Sequence, residues 1–344
     1  MSAYAAVAMQ LEAKAVPPHA TRDSQQERML WQLDQVSGRI FGAKTFIEQY
    51  SGSPVRLVVL PEYLFTSFPQ RVSIPDWAKV AAWDMDGREY AAIGKAAAAL
   101  GIYIAGNAYE RDQNFPQLYF QTSFVVGPSG QVVLRYRRLN SMFAPTPHDV
   151  WSKYLDLYGL EGVFPVARTE IGNLAAIASE EILYPEIARA HALRGAEIFV
   201  HSSSEIGSPK RTAKMIAKQA RAFENIAYVV SANTAGIDGQ QSADGNSMVV
   251  DWRGEVLAEA NSGDNYTAFA DIDVGAVRDK RRKAGMTNYL ARQRTELFAA
   301  AYAAATVHPA DTLLTNGVVR IPERDHFLRT QEQVIERMIE AGVI

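Results

Sequence analysis

Leu174-Ala175-Ala176-Ile177-Ala178-Ser179-Glu180-Glu181-Ile182-Leu183-Tyr184-Pro185-Glu186 is the stretch on which the architecture turns. Its first five residues form an unbroken apolar run, too short for a helix, and read as a buried strand ending at Ser179. Pro185 suits the first turn of a helix, where its missing N–H costs nothing, and Gly195 closes that helix. Glu197-Ile198-Phe199-Val200-His201 is the next strand. Strand, helix and strand in this order make the unit from which α/β folds are built.

Working outward from this unit, the pattern repeats upstream. Tyr4 to Gln10 reads as a short strand, and Asp23 to Tyr50 as a long amphipathic helix with Met29, Leu30, Leu33, Val36 and Ile40 at helical spacing. Val55 to Leu60 is a β-branched run stopped by Pro61, with Glu62 just past its end. A helix over Arg88 to Leu100, closed by Gly101, leads into a strand at Ile102 to Gly106. Leu118 to Val126 and Gln131 to Arg138 flank the turn Gly127-Pro128-Ser129-Gly130 and predict a hairpin. Downstream come a helix over Thr212 to Asn225, a strand at Ala227 to Ser231 and a hairpin on Asp251-Trp252-Arg253-Gly254. Mixed sheets with helices on their outer faces account for this order: a two-sheet α/β sandwich. Past Val274 the pattern thins. Lys280-Arg281-Arg282-Lys283 reads as a solvated basic run, and helices are expected at Tyr289 to Ala304 and Arg329 to Ala341, with Pro309 and Pro322 between them. The expected division is a domain over 1–274 and an extension over 275–344 that packs on the domain or on a second subunit.

Composition narrows the function. The chain has 344 residues, 48% hydrophobic and 21% charged, which is ordinary for a globular protein. A formal charge of −3 gives no electrostatic case for nucleic acid. No stretch approaches the ~18 apolar residues needed to span a bilayer, so no membrane role is expected. No basic segment followed by a sustained apolar core opens the chain, and a cytoplasmic location is the default. The absence of cysteine excludes disulfides and thiolate metal sites.

Three segments place reactive side chains at strand ends, where open α/β sheets collect ligands. These are Glu62 in Leu60-Pro61-Glu62-Tyr63, the arginines of Arg135-Tyr136-Arg137-Arg138, and Ser179 ahead of Glu180 and Glu181. Converging there, a carboxylate, a fixed cation and a hydroxyl supply a base, an oxyanion partner and a nucleophile. Taken singly, each has a plainer reading: a solvated terminus, an edge decoration, a helix cap.

Together they resemble the nitrilase superfamily of carbon–nitrogen hydrolases. Leu60-Pro61-Glu62 looks like the segment carrying that family's general-base glutamate. Gly127-Pro128-Ser129-Gly130 followed by Tyr136-Arg137-Arg138 resembles its turn and Tyr-Arg-Lys. Ile177 to Glu186 resembles its nucleophile segment, and Arg194-Gly195-Ala196-Glu197-Ile198 and Arg221-Ala222-Phe223-Glu224-Asn225 agree as well. The resemblance runs from residue 4 to about 273. It implies an α-β-β-α sandwich of the carbon–nitrogen hydrolase type with a C-terminal helical tail, assembled as a homo-oligomer. It also implies hydrolysis of a small amide, nitrile or carbamoyl compound, with no metal and no organic cofactor.

The departures fall on the chemistry. Ser179 stands where the family has cysteine, Arg138 stands where it has lysine, and only Glu62 is retained. Asp149 is the nearest counterpart of a second family glutamate. Lys153 is a candidate substitute for the missing lysine, with a solvated surface position as the plainer reading, and His201 is placed to line the same cleft. A serine hydroxyl is less acidic than a thiol, so Glu62 must take its proton during attack. Two readings follow: a hydrolase working through a Ser179 acyl-enzyme, with Glu62 as base and Arg138 as oxyanion partner, or a catalytically inactive relative that binds a small ligand or protein partner. Deliberate replacement of a cysteine would also give Ser179, but would leave the lysine in place, and Arg138 argues against it.

Overall fold

The computed structural model describes residues 2–205, 211–238, 241–242, 245–260, 265–305, 307–323 and 325–344. In chain order, the first half runs β1 (Tyr4–Ala13), α1 (Arg22–Ser51), β2 (Val55–Val59), α2 (Ile74–Val80), β3 (Trp83–Asp84), α3 (Arg88–Leu100), β4 (Tyr103–Arg111), β5 (Phe120–Val126), β6 (Val132–Arg137) and α4 (Trp151–Val163). There follow β7 (Ala167–Thr169), β8 (Gly172–Ala178), α5 (Pro185–Leu193), β9 (Ile198–Ser203), α6 (Ala213–Asn225), β10 (Tyr228–Ile237), β11 (Gln241–Ser242), β12 (Met248–Val250), β13 (Val256–Glu259) and β14 (Tyr266–Ile272). The tail comprises α7 (Val274–Arg282), α8 (Tyr289–Arg292), α9 (Thr295–Ala304), β15 (Leu314–Thr315), β16 (Val318–Val319) and α10 (His326–Glu340).

Alternation along β1 sets up the layers. Successive strand side chains point to opposite faces. Tyr4, Ala6 and Ala8 join the core shared with β8, β9 and β10. Ala5, Val7, Met9 and Leu11 join the core built by Met29, Leu33, Ile40 and Ile47 of α1 and by Tyr90, Ile93 and Ala97 of α3. The strands run β6-β5-β4-β2-β1-β10-β9-β8-β7, a parallel centre with antiparallel hairpins at both ends. The two halves meet at β1 and β10, whose pairing at Leu11↔Thr234 and Ala13↔Ile237 is interrupted by a register shift. They then fold face to face over the shared core, with α1 and α3 outside one half and α5 and α6 outside the other. This is the expected α-β-β-α sandwich.

The tail departs from expectation in two places. The helix expected over Tyr289 to Ala304 is two pieces, because Gln293 (ψ 135°) and Arg294 (ψ 83°) are non-helical. Alanine-rich propensity supports α9, but none of its residues is buried, so no packing holds the two pieces in line. The basic run is not wholly solvated either. The Arg281 guanidinium donates to the carbonyls of Ala196 (2.6 Å), Asn225 (3.0 Å) and Ile226 (3.1 Å), satisfying the C-terminal end of α6. Farther on, Leu313 and Val319 pack with Phe115, Phe120 and Val150 of the sandwich. No helix among the described residues is long and apolar enough to cross a membrane.

Candidate active site

Glu62 follows β2 directly, and its backbone N–H donates to the Ser203 carbonyl at 3.3 Å, so the strand end is tied to β9 of the other half. The carboxylate is 1% exposed. Its Oε1 accepts from Gln121 Nε2 at 2.5 Å and its Oε2 from Ser204 Oγ at 2.6 Å. A buried carboxylate held this way has a fixed direction, which a base needs.

The arginines at the end of β6 divide by strand alternation. Arg135 and Arg137 share one face and turn to Glu110, at 3.0 and 3.4 Å, with Arg137 also 2.7 Å from Asp112. Tyr136 and Arg138 turn the other way. Arg138 Nη1 donates to Gln121 Oε1 at 2.7 Å and lies 3.5 Å from Glu62 Oε1, Nε donates to the Asn140 carbonyl at 2.7 Å, and Nη2 is ion-paired with Glu180. Burial works against its charge, but Glu62, Glu180 and Glu181 outweigh it and hold the guanidinium above the ordinary arginine range. Arg137 and Arg138 are therefore buried partners of carboxylates and not exposed edge decoration.

Ser179 follows β8 directly and opens a short 3-10 turn over Ser179–Leu183. Its φ of +50° is left-handed, an uncommon conformation for a residue with a Cβ. The carbonyl accepts from His201 Nε2 at 2.8 Å. Among the described residues the hydroxyl has no hydrogen-bond partner. Two residues on, Glu181 is fully buried and accepts from Tyr136 Oη (2.7 Å) and the backbone N–H groups of Leu139 (2.8 Å) and Asn140 (2.9 Å). Burial pushes its pKa up to about 7 against the pull of Arg138. This carboxyl anchors the chain that leaves Arg138.

The structure thus brings Glu62, Arg138 and the Ser179 turn together, with Arg138 bonded to both of the other segments. It does not bring in the other candidates. Asp149 is occupied by Thr146, whose N–H and hydroxyl both lie 2.8 Å away, and by the Thr312 hydroxyl at 2.6 Å, which makes it a cap and a tether for the tail. Lys153, half-buried, donates to the Asn114 carbonyl at 2.8 Å and lies over the Phe115 ring. His201 lies behind the turn, where it meets Ser179 through the backbone and not through the hydroxyl. Gln121 and Ser204 were not singled out from the sequence. Gln121 is a lone amide inside the apolar run Leu118 to Val126, the one signal that could have marked it; Ser204 ends a serine run with none. No group of three or more His, Asp or Glu side chains suited to a metal occurs among the described residues.

Known proteins agree with this picture. The carbon-nitrogen hydrolase pattern matches residues 25–282. A nitrilase of Pyrococcus abyssi is 26% identical over 245 residues, 70% of this chain and 85% of its own. A formamidase of Pseudomonas syringae pv. tomato is 26% identical over 321 residues, 92% of this chain and 87% of its own. In fold, the chain superposes on Nit3 of Saccharomyces cerevisiae with a TM-score of 0.61 at 18% identity, covering 81% of this chain and 93% of that one. A carbon-nitrogen hydrolase of Helicobacter pylori gives a TM-score of 0.62 at 18% identity, covering 87% and 98%. With a family pattern that spans most of its length and a sandwich of the same build, the chain belongs to the carbon–nitrogen hydrolase family.

Proposed function

We propose that this protein hydrolyses a small non-peptide amide, nitrile or carbamoyl compound, or an ester, through an acyl-enzyme on Ser179. The observation that carries the reading is Arg138, which joins Glu62 on one side to the residue after Ser179 on the other. For an amide, Ser179 Oγ attacks the carbonyl carbon while Glu62 takes the hydroxyl proton. The tetrahedral oxyanion is held by the Arg138 guanidinium. An arginine does not readily give up a proton, so Glu62 returns the one it took to the departing amine as the C–N bond breaks. Water, deprotonated by Glu62, then hydrolyses the serine ester and restores the hydroxyl.

One observation favours a second reading. The Glu180 carboxylate pairs with the guanidinium and draws on the charge an oxyanion would use. A chain that kept the cleft and lost the chemistry, binding a small ligand or a protein partner, would look the same. Intact-mass spectrometry after incubation with small amides, nitriles and esters separates the two. An adduct on Ser179, absent in Ser179→Ala, supports the hydrolase. No adduct and no product, with turnover gained in Ser179→Cys combined with Arg138→Lys, overturns it.

We also propose a homo-oligomer. Leu183, Leu193, Ile216 and Phe223 leave large apolar surfaces exposed around α5 and α6. Sedimentation velocity at micromolar concentration is expected to show a species heavier than the monomer, and a monomer alone would sink the proposal.

A further inference from the structure

His201 is fully buried, and each ring nitrogen has one partner: Nε2 lies 2.8 Å from the Ser179 carbonyl oxygen and Nδ1 2.8 Å from Ser231 Oγ. A carbonyl oxygen only accepts, so Nε2 must carry the proton. Burial, reinforced by Lys218 and Lys214 on α6, holds the imidazole pKa well below its ordinary value, so the ring has a single proton. Nδ1 is therefore the acceptor and Ser231 the donor. The hydrogen bonds specify one tautomer.

The consequence lies in the next peptide. The Ser179–Glu180 bond is trans, so its C=O and N–H point in opposite directions. A carbonyl held back toward the buried imidazole turns the Glu180 N–H away from it. That N–H belongs to the first residues of the 3-10 turn, where no intrahelical acceptor exists. The left-handed Ser179, at φ +50°, needs such a restraint to remain in place.

We propose that His201 is a positioning residue: with its tautomer set by the Ser179 carbonyl and its other ring nitrogen held by Ser231, it fixes the Ser179–Glu180 peptide so that the Glu180 N–H serves as an oxyanion donor beside Arg138. This rests on the hydrolase reading for its consequence in rate, but the hydrogen-bonded geometry stands by itself and can be tested by itself.

The test uses the full chain with ¹⁵N-labelled histidine, together with steady-state kinetics on an activated acyl ester. The expected spectrum shows His201 as the neutral Nε2–H tautomer from pH 5 to 9. Losing an oxyanion donor typically costs about 10²-fold or more in kcat, so His201→Leu is expected to lower kcat by about 10²-fold with KM within about threefold. His201→Gln, which retains an N–H, is expected to recover most of the loss. Should His201→Leu fail to fold, Ser231→Ala removes only the donor to Nδ1 and is expected to keep the Nε2–H tautomer while loosening the ring, with a smaller loss of kcat; no loss there overturns the proposal. A protonated or Nδ1–H ring, or an unchanged kcat in His201→Leu, overturns the proposal while leaving Ser179 as nucleophile untouched. If the wild-type chain forms no acyl adduct, the crystal structure of His201→Leu decides. A rotated Ser179–Glu180 peptide supports the positioning role and removes the hydrolase reading alone, whereas an unrotated one removes both.

Discussion

At the scale of the residue, the structure buries charge in Glu62, Arg138 and Glu181, and each group can be tested by a change that keeps its shape. Glu62→Gln retains the volume and the acceptor for Gln121 but cannot take a proton. Turnover should fall at least about 10²-fold, the range for loss of a general base, with the circular dichroism spectrum unchanged. Equal activity would remove Glu62 as base. Glu181 gives a stability prediction whose sign follows from its pKa of about 7, against an ordinary value of 4.5. Below about pH 4.5 both folded and unfolded chains are protonated there. As pH rises toward 7 the unfolded chain ionises first, so stability is lost across that window, and above it the loss is constant at about 3 kcal/mol. Glu181→Gln keeps an acceptor for Leu139 and Asn140 and should flatten this pH dependence. Urea unfolding at pH 5 and pH 8 should then show the variant gaining on the wild type at the higher pH, and no gain would mean that Glu181 is ionised throughout. Glu62, Arg138 and Ser179 were legible in the sequence because each follows a recognisable strand. Gln121 and Ser204 were not, since hydrogen-bonding to a carboxylate from a neighbouring strand leaves no periodic trace.

At the scale of the element, the site depends on how strands end. Arg138 emerges from a hairpin whose turn lies against α3, where a Cβ on Gly94 would come within 2.4 Å of the Gly130 carbonyl oxygen. Gly94→Ala forces the hairpin or the helix to move, a backbone clash typically costing 1–3 kcal/mol. Chemical denaturation should show that loss, together with a slower reaction at Ser179; a neutral substitution would show that the contact gives way easily. Strand and helix boundaries through the sandwich were legible because β1 is a mostly apolar run buried on both faces and α3 ends at Gly101. The break between α8 and α9 was not, because exposed alanine carries helix propensity but no packing partner to locate a kink. Asp149 and Lys153 turn to Thr146, Thr312 and Asn114 for a related reason: proximity in sequence to the site loop does not determine which way a side chain turns.

At the scale of the whole molecule, the tail is fastened where the loop beyond Arg138 re-enters the core. Thr312 is bonded to Asp149, and the Leu313 N–H donates to the Asp149 carbonyl at 2.8 Å. Leu313→Ala should cost about 3 kcal/mol, as buried leucine truncations do, and should speed amide hydrogen exchange over Thr146 to Val150. Exchange unchanged there would show that the tail rests on the sandwich without bracing it. The placement of β1 reaches furthest. It is paired with β2, with β14 and with β10, so it has to wait for partners that are made much later in synthesis than itself. A nascent chain on the ribosome holds β1, β2 and β4 with one sheet face uncovered until β8, β9 and β10 have emerged. Such long-range pairing makes for slow folding and a sticky intermediate, so the yield of this protein in cells should depend on temperature and on the supply of chaperones more than its folded stability alone would suggest.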